Sequence, residues 1–313
     1  MAYQHLFGPV PSRRLGISLG VDLVPHKVCT LNCIYCECGA TTKLTIKRKE
    51  YIPYDRTIKE LDDYLNHHAV PDYITFSGSG EPSLNSRIGD IINYIKKNYP
   101  KIKVAVLTNA SLFFLDEVRE SLMLADVVLP SLDAATREAF LSLNRPHAAL
   151  DHQEHIESLI KFRKEFKGLI WLEIFLLKGY NTDPKNLTAL KKAIEKIEAD
   201  SVQLNTLDRP GVLTDLKALS NMELEKIKND WALKNVEIIA PVLNREQKGS
   251  FRQDIENIIL ETISRRPCTL ADLSHILNIH ENEINKYLST LEAKNRIETL
   301  NMERGLFYQS KRN

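Results

Sequence analysis

Cysteine is scarce in this chain: it has five among 313 residues, and four of the five fall between residues 29 and 39. Outside that stretch only Cys268 remains. An odd count leaves no complete set of disulfides, and Met1-Ala2-Tyr3-Gln4-His5 has neither the basic start nor the apolar tail of a secretory leader. Long apolar runs are missing too: none approaches the roughly 18 residues that cross a bilayer as a helix. An excess of one charge is also missing. Lysine and arginine number 42 against 41 aspartates and glutamates, for a formal net charge of +1, so the whole surface exerts no general pull on nucleic acid or anionic lipid. Together these absences predict a soluble cytoplasmic protein with no membrane partner, kept where thiols stay reduced.

What is present is concentrated in Cys29-Thr30-Leu31-Asn32-Cys33-Ile34-Tyr35-Cys36-Glu37-Cys38-Gly39. Thiolates packed this closely repel one another unless a metal neutralises them. A structural zinc clip wants two separated ligand pairs, and Cys38 follows Cys36 too closely for that. The C-x3-C-x2-C spacing of Cys29, Cys33 and Cys36 lets one loop offer three thiolates to three irons of a cubane, leaving the fourth iron open to a small ligand. A closed cluster that takes Cys38 as its fourth thiolate stays open as an alternative.

This stretch, with aromatic Tyr35 directly before the third cysteine, resembles the signature of the radical S-adenosylmethionine (SAM) superfamily. The resemblance implies one 4Fe–4S cluster on Cys29, Cys33 and Cys36, whose open iron chelates SAM. It further implies reductive cleavage of SAM to a 5′-deoxyadenosyl radical that abstracts hydrogen from an unidentified substrate, the electron coming from a flavodoxin- or ferredoxin-like donor. Residues 7–20, leading into the loop, are similar to the branch related to tRNA wyosine-base synthases, which makes RNA one candidate substrate beside protein and peptide. With Cys268 alone outside the loop, a second thiolate-held cluster has no ligands.

Beyond residue 57 amphipathic helical patterns alternate regularly with short apolar strands, the mark of parallel βα units. Strands are predicted at 16–24, 72–77, 102–108, 126–132, 169–177, 201–206 and 235–240. Helices are predicted at 57–68, 86–98, 114–124, 134–142, 151–166, 184–197 and 220–233. Six or seven parallel strands make a partial (βα)6-type barrel, short of the eight-unit closure. Chemistry in such a barrel sits at the carboxyl ends of the strands, and these ends are polar.

The segment Ser77-Gly78-Ser79-Gly80-Glu81-Pro82 resembles the superfamily's Gly-Gly-Glu-Pro element, with Ser79 in place of the first glycine. The resemblance assigns the SAM amino group to Gly78, Ser79, Gly80 and Glu81, and Tyr35 to the cofactor side of the loop. It assigns the ribose hydroxyls and carboxylate to Thr108, Asn109, Ser131 and Asp133; Arg145 reads either as a further partner of the carboxylate or as a surface arginine. On strand 169–177 the alternation turns Ile170, Leu172 and Ile174 one way and Glu173 into the lumen. A lumen carboxylate must be paired or used on a ligand. With Asn205 and Arg209 at the end of the next strand, Glu173 is therefore a candidate for the catalytic, substrate-facing set.

Residues 241–250 combine proline, glycine and charge and read as a linker, dividing the chain into a barrel at 1–245 and a small unit at 246–313. Helices at 251–264, 270–277 and 281–294, the second capped by Thr269, followed by two short strands joined at Gly305, resemble a winged helix. Nine basic against nine acidic residues from Ser250 onward, with Glu281, Glu283 and Glu292 on the candidate recognition helix, argue against specific DNA binding. A docking surface for a macromolecular or peptide substrate, or a lid for the barrel, fits that charge better. The rival reading is a redox-sensing regulator, in which a four-thiolate cluster controls nucleic-acid binding by the winged helix.

Overall fold

The computed structural model describes residues 3–12, 14–213, 215–239, 255–277, 279 and 281–311; Arg13 and the 241–250 segment read as a linker lie outside the described residues. Among the described residues eight strands form one sheet: β1 (Leu6–Ser12), β2 (Gly16–Val21), β3 (Tyr73–Phe76), β4 (Lys103–Thr108), β5 (Val127–Pro130), β6 (Leu169–Leu176), β7 (Ser201–Thr206) and β8 (Val236–Ile238), neighbouring one another in that order. From β2 to β8 every pairing is parallel, so the sheet is the seven-stranded partial barrel that the alternation predicts. The strand β1 was not expected from its run of turn-formers. It pairs antiparallel to β2 with an irregularity between Phe7 and Val10, the place where an edge strand tolerates proline and glycine.

Helices α1 (Tyr54–His67), α2 (Ile88–Asn98), α3 (Asp116–Ser121), α4 (His152–Glu165), α5 (Pro184–Ile197) and α6 (Asn221–Trp231) return the chain between parallel strands. Their apolar faces, including Ile91, Ile95, Val118, Phe162, Leu190 and Ile194, cover the outward side chains Val104, Val106, Ile170, Leu172 and Ile174 in one continuous core. Full burial of such a side chain contributes about 1.5–3 kcal/mol, enough in sum to fix which face of each strand turns outward.

The lumen is layered. Leu15, Ala105, Val127 and Leu129 with Trp171 fill its floor. Above them the guanidinium of Arg14 donates to Glu173 and, at 2.9 Å, to Gln203 Oε1.

The helix expected at 134–142 runs instead from 137 to 144, an α turn at Arg137–Ala139 passing into a π-helix at Phe140–Asn144. Two requirements set its ends. Asn186 Oδ1 accepts from the backbone N–H groups of Ala135 and Thr136 at 2.9 and 3.1 Å, which delays the start. The carbonyls of Leu143, Asn144 and Arg145 accept from the cysteine loop, which ends it.

Toward the C-terminus α7 (Ile255–Arg265), β9 (Cys268–Thr269), α8 (Leu270–Leu277), α9 (Glu281–Ala293), β10 (Ile297–Met302) and β11 (Gly305–Ser310) follow, the strands ordered β9–β11–β10 and antiparallel. This unit has its own core, with Ile259, Ile263, Cys268, Leu273, Ile284, Leu288 and Leu291 buried together. Thr269 caps α8: its hydroxyl accepts from Asp272 N at 3.1 Å while Thr269 N donates to Asp272 Oδ2 at 3.0 Å. Cys268 is fully buried in this core. Among the described residues no helix is long and apolar enough to cross a membrane.

Candidate active site

The cysteine loop lies at the carboxyl edge of the sheet and is tied down along its length by backbone. Asn32 N donates to the carbonyls of Asn144 and Arg145, Ile34 N to Leu143 O, and Thr45 N to Cys29 O. On its other side Val212 N and Leu213 N donate to Ile34 O at 3.0 and 3.2 Å. A loop with its backbone polar groups satisfied in this way has little freedom, so its thiols hold fixed directions.

Each of the three spaced thiols receives one side-chain N–H donor, from three different parts of the chain. Asn109 Nδ2 lies 3.5 Å from Cys29 Sγ, Asn144 Nδ2 lies 3.5 Å from Cys33 Sγ, and Lys27 Nζ lies 3.0 Å from Cys36 Sγ. Lys27 is only 3% exposed. Burial pushes the Cys29 thiol up to about 11 and the Cys33 thiol well above its ordinary value. Cys36 is drawn down to about 5, first by a hydrogen bond with Cys38 and then, against burial, by the Lys27 ammonium. Cys38 is thus a neighbour of Cys36, its own thiol held well above the usual range by that same bond.

Among the described residues no three Cys, His, Asp or Glu side chains converge on a point that would suit one metal ion. A cubane asks for something else, one thiolate per iron with N–H donors on the sulfurs. The residues present fit that group.

Beside the loop, Gly78 to Glu81 turn from β3. Gly78 has φ +136°, and a Cβ there would meet the Asp22 carboxylate at 2.4 Å. A Cβ on Gly80 would fall 2.2 Å from Val28 O, so this turn lies directly against the chain entering the cysteine loop. Ser79 Oγ donates to Asp22 Oδ2 at 2.8 Å. Glu81 is 2% exposed, and its carboxylate accepts from Thr108 Oγ1 at 2.6 Å, Asn109 N at 2.8 Å and Ser83 N at 3.0 Å. Burial raises its pKa despite those bonds. Oε2 takes one bond only, which leaves acceptor capacity for an ammonium.

A small cavity of about 30 Å³ opens between the loop and the ends of β4 and β5, bounded by apolar Leu31, Ala134 and Phe140 and by Cys33, Tyr35, Asn109, Ser131, Asp133, Asn144 and His155. Five of the residues read from the sequence, Cys33, Tyr35, Asn109, Ser131 and Asp133, therefore meet here. Asp133 is largely committed to the protein: Oδ1 accepts from Phe175 N at 3.0 Å, and Oδ2 from Asn144 Nδ2 at 2.9 Å and from the Tyr35 hydroxyl. Burial nevertheless lifts it to about 6. Tyr35 stacks on Phe175 with ring centroids 3.9 Å apart, so the loop aromatic is clamped against the lumen.

Three of the candidates lie outside this cavity. Glu173 takes the paired alternative: it is the ion-pair partner of Arg14, hydrogen-bonded across the barrel. The Arg145 side chain is exposed and does not bound the cavity; the residue has a left-handed backbone, φ 44°, and contributes its carbonyl to the loop. Arg209 is buried between the cysteine loop and the C-terminal unit, 3.4 Å from Glu37 and 3.7 Å from Asp272. Asn205 uses its Oδ1 on the neighbouring Thr206 N at 3.0 Å. Lys27, Asn144 and His155 were missed. A lone lysine, asparagine or histidine carries no spacing signal, although Lys27 stands two residues before Cys29.

A parallel partial barrel that holds a loop of clustered thiols over the ends of its strands is the layout of a cluster-dependent barrel protein. The sequence profile of the Radical SAM superfamily matches residues 23–190, more than half of the chain, and the protein belongs to that superfamily. Its cofactors are accordingly S-adenosylmethionine and a 4Fe–4S cluster. Over 295 residues (94% of this chain) it is 37% identical to a protein named GTPase Obg of Brachyspira hyodysenteriae, of whose length the match spans 43%. It is 33% identical over 283 residues to a UPF0026 protein of Helicobacter pylori, covering 89% of this chain and 90% of that one. A solved structure of TYW1 with a lysine-pyruvate adduct bound shares the fold, with a TM-score of 0.51, 19% identity, and 72% and 75% of the two chains covered.

Proposed function

We propose that the protein is a radical SAM enzyme that holds one 4Fe–4S cluster on Cys29, Cys33 and Cys36, cleaves S-adenosylmethionine reductively and abstracts a hydrogen atom from a substrate admitted beside the C-terminal unit. The single observation that carries this reading is the set of three N–H donors, from Asn109, Asn144 and Lys27, one on each of those three thiols. When bound, the reduced cluster and S-adenosylmethionine together supply one-electron cleavage of a sulfonium bond and a carbon radical able to take hydrogen from substrate.

The chain's own residues orient and shield. Lys27, Asn109 and Asn144 stabilise negative charge on the thiolates. Glu81 and the Gly78–Ser79 backbone receive the ammonium of the cofactor. The stacked pair Tyr35 and Phe175, with Leu177 and Leu207 behind it, keeps water from the side of the loop that faces the lumen. The electron is supplied by a flavodoxin- or ferredoxin-like donor, and the C-terminal winged-helix-like unit receives a macromolecular or peptide substrate.

Anaerobic reconstitution with iron and sulfide tests the proposal. The expected result is about four irons per chain and release of 5′-deoxyadenosine on reduction with S-adenosylmethionine. Cys29→Ala is expected to lose both, while Cys38→Ala keeps both. Loss of the cluster in Cys38→Ala with no 5′-deoxyadenosine from the parent protein would favour the closed-cluster regulator instead.

A further inference from the structure

His155, on the first turn of α4, is 7% exposed and bounds the cavity beside Cys33, Asn109 and Ser131. One ring nitrogen is bonded to the backbone carbonyl of Asn109, while Nε2 is buried with no hydrogen-bond partner. An unpaired buried polar atom is costly, and the ring is held in the interior beside Phe140, centroids 6.1 Å apart. A buried acceptor of this kind at a cofactor cavity points to a donor on the ligand.

We infer that His155 Nε2 accepts a hydrogen bond from a ribose hydroxyl of S-adenosylmethionine, which makes His155 a positioning residue for the nucleoside. The inference rests on the proposed function, because it takes the cavity as the place of the cofactor. The bond to Asn109 O fixes the tautomer: that nitrogen carries the proton, so Nε2 presents a lone pair. Burial holds the ring's pKa down to about 4, which keeps it neutral at physiological pH. A lone pair repels the cofactor's carboxylate, and the ammonium is directed to the buried carboxylate of Glu81. The cofactor's remaining donors are its ribose hydroxyls and its adenine amino group, and the Asn109 and Ser131 side chains that bound the cavity with His155 suit the paired hydroxyls of the sugar.

The test measures equilibrium binding of S-adenosylmethionine and of its 2′-deoxy and 3′-deoxy analogues to cluster-loaded protein. His155→Phe is expected to weaken S-adenosylmethionine about tenfold or more, and to leave unchanged the affinity for the one analogue that lacks the bonded hydroxyl. His155→Gln, whose carbonyl restores an acceptor, is expected to recover most of the loss. Equal affinity of His155→Phe and the parent for S-adenosylmethionine overturns the inference, as does an equal loss for all three ligands, which marks a purely structural histidine. If His155→Phe does not fold, the parent and His155→Gln decide: binding of both deoxy analogues as tightly as S-adenosylmethionine overturns it. A parent protein that binds cluster but no S-adenosylmethionine refutes the proposed function itself, a result distinct from all of these.

Discussion

At the scale of single residues, Lys27 places a cation against the cysteine loop. Its ammonium is buried, and burial alone would drive it toward neutrality; the thiols of Cys36, Cys29 and Cys38 outweigh that and raise its pKa. The backbone holds it in place, with φ 56°, its N–H on Ser79 O at 2.9 Å and its carbonyl accepting from Thr42 and Lys43. A fixed cation beside cluster thiolates favours the more negative, reduced state. Lys27→Met is therefore expected to make the reduction potential of the reconstituted cluster more negative by about 59 mV for each tenfold loss in the reduction equilibrium, while Lys27→Arg stays near the parent. A potentiometric titration followed by electron paramagnetic resonance checks this; identical midpoints in Lys27→Met and the parent would show that the contact has no electrostatic role.

At the scale of elements, the turn after β3 and the entry to the cysteine loop have interlocking shapes. Glu81 N donates to Val28 O at 3.1 Å, and a Cβ on Gly80 would fall 2.2 Å from that oxygen and 2.6 Å from Val24 Cγ2. Neither obstacle is the free end of a flexible chain, so a methyl group must push the loop away. Gly80→Ala is expected to cost about 1–3 kcal/mol in urea unfolding and to lower the iron bound after reconstitution by at least about half, since loop and turn are displaced together. Gly179→Ala is the contrast. Its φ of +83° makes a side chain strained, at about 1–2 kcal/mol, yet nothing lies within 4 Å of the added Cβ, so iron content should be unaffected.

At the scale of the whole molecule, the C-terminal unit is seated over the carboxyl ends of the strands by charge. Arg304 lies 3.2 Å from Asp208 and 2.6 Å from Asp272, and Asp272 in turn faces Arg209, which reaches Glu37 in the cysteine loop. Arg265 contacts Asp22 at 3.1 Å and stacks at 4.2 Å over the Phe7 ring. The chain of contacts thus runs from α8 to the loop that carries the thiols. Arg304→Glu places like charges against Asp208 and Asp272, and hydrogen–deuterium exchange should rise about tenfold in α8 and around Asp208, the response to roughly 1.4 kcal/mol of lost docking. Exchange in β4 to β7 should not change; a rise there would mean that the barrel itself depends on the C-terminal unit.

The sequence by itself determined the periodic features. Alternating helix and strand patterns specify a parallel sheet because each strand needs a crossover to lie parallel to its neighbour. The spacing of Cys29, Cys33 and Cys36 specifies a three-thiolate loop because the residues are local to one another. The Gly78–Glu81 turn was legible for the same reason. Tertiary structure alone decided the partners. Glu173 is matched with Arg14, 159 residues away, and Arg209 with Glu37, 172 residues away; nothing in either neighbourhood announces the other, because such pairs exist only once strand order and loop placement are fixed. Lys27, Asn144 and His155 acquire their places in the same way. A single polar side chain has no period, and whether it meets water, a thiol or an empty corner of a cavity depends on what the fold packs against it.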